Sequence, residues 1–260
     1  MSDIHIKSHD EIELMRESGR LLTQVFSALD HYIVRGMSTM EVNDFVEHYI
    51  VNTLEARPAS KGQYGYQYVL NSSINEVVCH GIPSPSKKLR EGDIVNIDIT
   101  LEKNGFVSDS SKMYCIGQVF PAAKKLVDVT YEAMWKGIFA VKPDATTGDI
   151  GHAIQQHAEK HGFSVVREYC GHGIGREMHE APQILHYGVP GTGTRLQEGM
   201  TFTIEPMINQ GSSRTKEKND GWTVVTKDRK LSAQWEHTIL VSSTGFEVLT
   251  LRPEEHHLTL

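Results

Sequence analysis

Two stretches of the chain echo one another. Leu89-Arg90-Glu91-Gly92 leads through Ile97 to Asp98, and Leu196-Gln197-Glu198-Gly199 leads through Ile204 to Glu205, with the same spacing in both. Upstream of each lies a cluster of cysteine, histidine, glycine and isoleucine: Cys79-His80-Gly81-Ile82, then Cys170-Gly171-His172-Gly173-Ile174. Further upstream, Val34, Thr39, Val42 and Val46 are answered by Val141, Thr147, Ile150 and Ile154. Three echoes in one order predict a duplicated helix–loop–strand unit. Chance is the competing account, because each echo is only about four residues long. Duplication would put Asp98 and Glu205 at equivalent points of two half-sheets, facing each other.

The local signals agree with such a plan. Ser8 and Glu11 read as a capping box, and Ile12, Met15, Leu22, Val25, Phe26 and Leu29 follow at helical spacing, predicting a helix to about Tyr32. Ser38 and Glu41 repeat the box ahead of Val42, Phe45, Val46, Tyr49 and Ile50. Further helices are expected from about Pro121 to Ala140 and from Thr147 to a stop at Gly162. Period-2 segments mark strands at 94–101, 112–116, 164–168, 201–208, 222–226 and 235–241, with turns at Asn104-Gly105 and Asp220-Gly221. The expected class is α+β, a single domain over 1–260 with halves of roughly 1–120 and 121–260.

Composition narrows the function. The 26 Lys and Arg against 33 Asp and Glu leave a net charge of −7, which argues against a general nucleic-acid binder. Three scattered cysteines, Cys79, Cys115 and Cys170, suit a reducing compartment and offer no paired spacing for a structural zinc. The opening MSDIHIKSHDEIELM has no basic segment followed by an apolar one, and no apolar run approaches the ~20 residues needed to span a bilayer. The expectation is a cytoplasmic protein with no membrane partner.

The acids carry the chemistry. In the run from Ile94 to Leu101, Asn96, Asp98 and Thr100 share one face and Val95, Ile97, Ile99 and Leu101 the other. Thr201, Thr203 and Glu205 form the polar face of a second strand, and Gln234, Glu236 and Thr238 that of a third. Each acid could simply face solvent. Asp109, however, returns after the Asn104-Gly105 turn, and His172 sits between glycines that allow close approach. Asp98, Asp109, His172, Glu205 and Glu236 together offer four carboxylates and one imidazole, matched in charge to two divalent cations. Oxygen-rich ligation with one nitrogen suits Mn, Fe, Co or Zn.

The blocks Asn75–Pro83, Asp93–Asp98, Tyr169–Gly175, Thr201–Pro206 and Gln234–Thr238 resemble the signature segments of the type I methionine aminopeptidases, and the similarity runs from about Ile4 to Arg252. The resemblance implies the pseudo-symmetric "pita-bread" fold, a curved antiparallel sheet covered by helices. It implies removal of the initiator methionine from nascent chains with a small second residue, as a monomer acting at the ribosome. Asp98 would chelate one divalent ion, His172 and Glu205 the other, and Asp109 and Glu236 would bridge both. A hydroxide shared by the two ions would attack the first carbonyl, with Glu205 as proton shuttle. His179 would bind the substrate carbonyl and His80 would lie near the leaving amide. Asn75, Val77 and Ser232 match a site for one Na or K ion.

The methionine pocket departs from the family pattern. Tyr66 and Trp222 match its aromatic positions, whereas Ser60 and Asn71 replace cysteines, Gln63 a tyrosine and Met178 a phenylalanine. Met178 can still contact a thioether; Gln63 and Asn71 make the rim more polar. Altered first-residue specificity, an X-Pro-type or dipeptidase relative, a non-catalytic peptide-binding homologue and a dinuclear phosphohydrolase are the rival readings. The last lacks a phosphate-cradling glycine loop. His5, His9, His31, His48, His152, His157, His161 and His186 are expected to be mostly solvated or at core edges, and His256-His257 disordered.

Overall fold

The computed structural model describes residues 4–259. Two helices open the chain, α1 (His9–Tyr32) and α2 (Thr39–His48). Five strands follow: β1 (Arg57–Pro58), β2 (Leu70–Ile74), β3 (Val77–Cys79), β4 (Ile94–Lys103) and β5 (Phe106–Cys115). The order then restarts with α3 (Pro121–Phe139) and α4 (Thr147–Lys160). The remaining strands are β6 (Ser164–Val165), β7 (Gly171–Gly173), β8 (Glu180–Ile184), β9 (Thr201–Ile204), β10 (Met207–Asn209), β11 (Thr215–Glu217), β12 (Val224–Thr226), β13 (Ser232–Gln234), β14 (His237–Val241) and β15 (Phe246–Val248).

Both halves bury helix against sheet. The stripe Leu22, Val25, Phe26 and Leu29 of α1 packs with Val42 and Val46 of α2 onto Val95, Ile97, Ile99 and Leu101 of β4. Each such side chain withdrawn from water contributes about 1.5–3 kcal/mol. In the second half Ala133, Met134 and Ile138 of α3 and Ile150 and Ile154 of α4 pack onto Phe202 and Ile204 of β9 and Ile239 of β14. The helix starts follow the chemistry expected of them. Ser8 with Glu11 and Ser38 with Glu41 form complete capping boxes, and Thr146 with Asp149 makes a third. At the far end of α4, Gly162 takes a left-handed φ of 83° and its N–H reaches Glu159 O at 3.0 Å.

The sheets are antiparallel. One runs β1-β4-β2 with β5 paired to β4, and another runs β15-β14-β9-β7-β8. They meet where Ser111 of β5 bridges to Glu236, whose N–H bonds Ser111 O at 3.2 Å. Asn96 Nδ2 reaches Gln234 O across the same seam at 2.7 Å.

Several expected boundaries shift. The stretch expected as one strand over 201–208 is two, β9 and β10, because Pro206 has no N–H to give the ladder and Glu205 turns out of it. The run 235–241 likewise enters the sheet only at His237. β5 starts at Phe106, six residues ahead of the expected start, because it leaves the Asn104-Gly105 turn directly. Strand 164–168 shortens to β6. His256-His257 is not disordered: both lie in a 3-10 turn over Pro253–Leu258.

Candidate active site

The seam between the two half-sheets is also the floor of the main cleft, a cavity of ≈ 1430 Å³. β4 and β5 bring two acids to it. Asp98 pairs with Ser111 and Asp109 with Thr100, so the carboxylates sit diagonally on one face. Glu205 arrives from the end of β9, Glu236 from the turn between β13 and β14, and His172 from β7. Ligand atoms of Asp109, His172 and Glu236 all lie within 4.8 Å of one another. His172 Nε2 is 3.4 Å from Glu205 Oε1 and 3.9 Å from Asp109 Oδ2. Asp98 and Asp109 are close enough to share a hydrogen bond when one holds a proton.

Local chemistry aims these groups. His172 Nδ1 donates to the Gly173 carbonyl at 3.0 Å, which fixes the proton on Nδ1 and turns the Nε2 lone pair toward the acids. The strand can carry this ring only because its neighbours are glycines: a Cβ on Gly173 would stand 2.1 Å from Ala181 O. Thr203 Oγ1 donates to Glu205 Oε1 at 2.8 Å and Gln234 Nε2 to Glu205 Oε2 at 3.3 Å. Asn71 Nδ2 donates to Asp98 Oδ2 at 3.2 Å. Thr238 Oγ1 accepts from Asp109 N at 3.1 Å and donates to Asp109 O at 2.7 Å.

The electrostatics are those of a site that lacks positive charge. Burial pushes the Asp98 carboxyl up to about 6 and that of Glu205 to about 8, the latter also raised by Asp98. Burial, then the neighbouring carboxylates, drives Asp109 and Glu236 well above the usual range. Burial and His179 hold His172 down to about 3, so it is neutral and able to ligate. Asp109 Oδ1 is buried without a hydrogen-bond partner. Four crowded carboxylates, an unprotonated imidazole nitrogen and an unpartnered carboxylate oxygen fit divalent cations.

Around this floor, Tyr66 and Trp222 meet at 4.8 Å between ring centroids, and Tyr66 Oη donates to Leu70 O at 2.9 Å. Met178 packs against the cluster around Phe106 and Ile174. Ser60 shares a hydrogen bond with Thr100, and Gln63 lies in the turn Gln63–Gly65, which with Asn71 lines the same cleft. His179 sits edge-on to His172 at 4.3 Å and stacks on Tyr64 at 5.9 Å. His80 stands edge-on to Tyr169 at 5.7 Å, at a left-handed φ of 56°. Its hairpin is pulled onto β2 at Gly81, where a Cβ would meet Ser72 O at 2.1 Å.

The family model for metallopeptidase family M24 matches residues 13–243. The chain belongs to that family. As an M24 metallopeptidase it is 52% identical over 252 residues to the methionine aminopeptidase of Salmonella typhimurium, covering 97% of this chain and 96% of that one. The crystal structure of methionine aminopeptidase from Rickettsia prowazekii superposes with a TM-score of 0.93 at 48% identity, covering 96% of this chain and all of that one. That from Thermotoga maritima gives 0.93 at 43% identity, over 95% of this chain and 99% of that one. The fold is the expected α+β pita-bread arrangement.

None of Asn75, Val77 and Ser232 lines the cleft that holds the acids. Asn75 O accepts from Ser232 N at 2.9 Å, Asn75 Nδ2 donates to Asp93 Oδ1 at 2.8 Å, and Ser232 Oγ donates to Asn209 Oδ1 at 2.8 Å. Val77 pairs with Val225. His186 departs from the solvated or edge position expected of it. It is fully buried, its Nε2 accepts the N–H of Glu205 at 3.2 Å, and burial lowers it to about 3. An isolated histidine carries no periodic signal that would have exposed this role. Thr203 and Gln234 could have been found, since each shares a strand face with an acid of the site.

Proposed function

We propose that this M24 chain removes methionine from the amino termini of nascent peptides whose second residue is small. The convergence of buried Asp109 and Glu236 with half-buried Asp98, Glu205 and His172 beneath a cleft walled by Tyr66, Trp222 and Met178 carries the reading. Asp98, Asp109, His172, Glu205 and Glu236 would hold two divalent ions. Bound there, such ions supply Lewis acidity that polarises a carbonyl and acidifies water.

The protein's own groups do the rest. Glu205, its Oε1 and Oε2 steadied by Thr203 and Gln234, takes a proton from the attacking water and returns it to the leaving nitrogen. His179 donates to the substrate carbonyl oxygen as charge grows on it, and His80 lies beside the leaving amide. The substrate's free amine is directed to the Asp98 end of the cluster, which limits action to chain ends. Tyr66, Trp222 and Met178 take the thioether, with Ser60, Gln63 and Asn71 at a polar rim. The three free cysteines agree with a cytoplasmic location, where a monomer would meet chains leaving the ribosome.

The test is cleavage of Met-Ala peptides against X-Pro peptides after addition of Mn(II) or Co(II), for the native chain and for Glu205→Ala. Met-Ala cleavage that falls by on the order of 10²–10⁴ in the variant is expected. A protein that binds no transition metal, or that leaves Met-Ala intact while cutting X-Pro, would overturn the reading.

A further inference from the structure

A second group of ligand-type side chains stands on the outer face of the α3–α4 pair. Glu132 comes from α3, and His157 and His161 from the last turn of α4 and its cap. One donor atom from each lies within 4.8 Å of the others. His157 Nε2 is 2.9 Å from Glu132 Oε2, and the two imidazole centroids are 4.5 Å apart.

We propose that Glu132, His157 and His161 form a binding site for one divalent ion of the Co, Ni, Cu or Zn class, independent of the acid cluster in the cleft. Four observations support it. Histidines four apart on one helix project to the same side, and the carboxylate comes from the neighbouring helix, so the donors converge from two directions. His161 Nδ1 donates to His157 O at 2.9 Å, which leaves its Nε2 lone pair free for an ion. The helix pair holding them is tightly packed, since a Cβ on Gly137 would lie 2.7 Å from Ile154 Cδ1, so the ligands are held on a stiff frame. The site lies at the carbonyl end of α4, where the helix dipole favours a cation.

Two imidazoles and one carboxylate select later first-row ions over Mg or Ca, and leave coordination positions for water. His157 is pushed below its usual value by burial, which keeps it unprotonated near neutral pH despite the pull of Glu132. Lys136 opposes the ion from the same helix as Glu132, and Lys125 is occupied on His161 O at 3.4 Å. Both ammoniums keep their charge, since a carbonyl partner does not neutralise Lys125, so affinity and selectivity rest on the imidazole nitrogens.

The experiment is equilibrium dialysis against Ni(II) followed by metal analysis, for the native chain and a His157→Gln/His161→Gln double variant. The variant should hold one ion fewer per chain, and its Met-Ala cleavage with Mn(II) should be unchanged. Cu(II) loaded at this site should show nitrogen splitting from two imidazoles in its electron paramagnetic spectrum, absent in the double variant. Glu132→Gln, a half-exposed change that leaves the helices intact, should weaken Ni(II) binding at this site roughly tenfold or more, since even a supporting partner of a ligand costs that much. Equal stoichiometry in native and double variant, or unchanged affinity in Glu132→Gln, overturns the proposal.

Discussion

Asn71 is the pocket residue that reaches directly into the acid cluster. Its amide donates to Asp98 Oδ2 and so favours the charged carboxylate against the burial that pushes it toward about 6. Asn71→Ala removes that donor, so the proton affinity of Asp98 rises. Protons should then compete better with Mn(II), so Mn(II) affinity should fall off at a higher pH in the variant, read by dialysis across pH; an unmoved profile would mean that Asn71 serves only the pocket wall. Period-2 alternation places Asp98, Glu205 and Glu236 on polar faces, whereas Asp109 and His172 are reached from the Asn104-Gly105 turn and from flanking glycines, and the fold brings all five to one cleft. His186 was not legible, because a lone buried imidazole has no spacing to betray it. Gln63 and Asn71 were recognised as polar, but only the fold shows that Asn71 points at an acid and not at solvent.

Among the elements, the 3-10 turn Pro253–Leu258 clamps the catalytic strands from behind. Arg252 donates to Ser111 O at 2.6 Å, Glu236 O at 3.2 Å and Ser110 Oγ at 3.1 Å, and its other nitrogen reaches Glu255 Oε1 at 3.0 Å. Both charged side chains are almost fully enclosed, at 1% and 2% exposure. Removing Arg252 takes the guanidinium from buried Glu255, leaving it only the side chains of Tyr131 and His237, so Arg252→Ala should cost about 3–5 kcal/mol in urea unfolding, more than a surface pair would. Thr146→Ala, which deletes the cap of α4, should cost only about 1 kcal/mol in the same measurement. Helix starts were readable because a capping box is a local signal three residues long. Strand ends were less so, since β9 stops where Glu205 and Pro206 leave the ladder for the cleft, a decision made by tertiary contacts.

For the whole molecule, the acid cluster makes stability depend on pH and on metal. Glu205 holds its proton up to about 8 when folded, against about 4.3 in an unfolded chain. Between those values the folded state binds more protons, so metal-free stability falls as pH rises. His172 and His186, both held near 3, act in the opposite sense only below the unfolded histidine value of about 6.5. The Tm of the metal-stripped protein should therefore decline from pH 6.5 to 8, and Mn(II) at about 100 times its Kd should restore about 2.7 kcal/mol. A metal-free Tm that climbs over that range would contradict the buried-acid account. The two-half plan was visible in the paired L-x-E-G segments. The seam itself was not, because the Ser111–Glu236 bridge joins residues with no sequence relation.

The clamp at Arg252 sets an order of events during synthesis. Ser111 leaves the ribosome 141 residues ahead of the arginine that binds its carbonyl. At roughly 5–20 residues per second, β5 waits on the order of 10 s for that partner. Until then the strand that carries Asp109 lacks the arginine behind it, and before residue 236 is made the cluster also lacks Glu236, so the two halves of the site are assembled late and together.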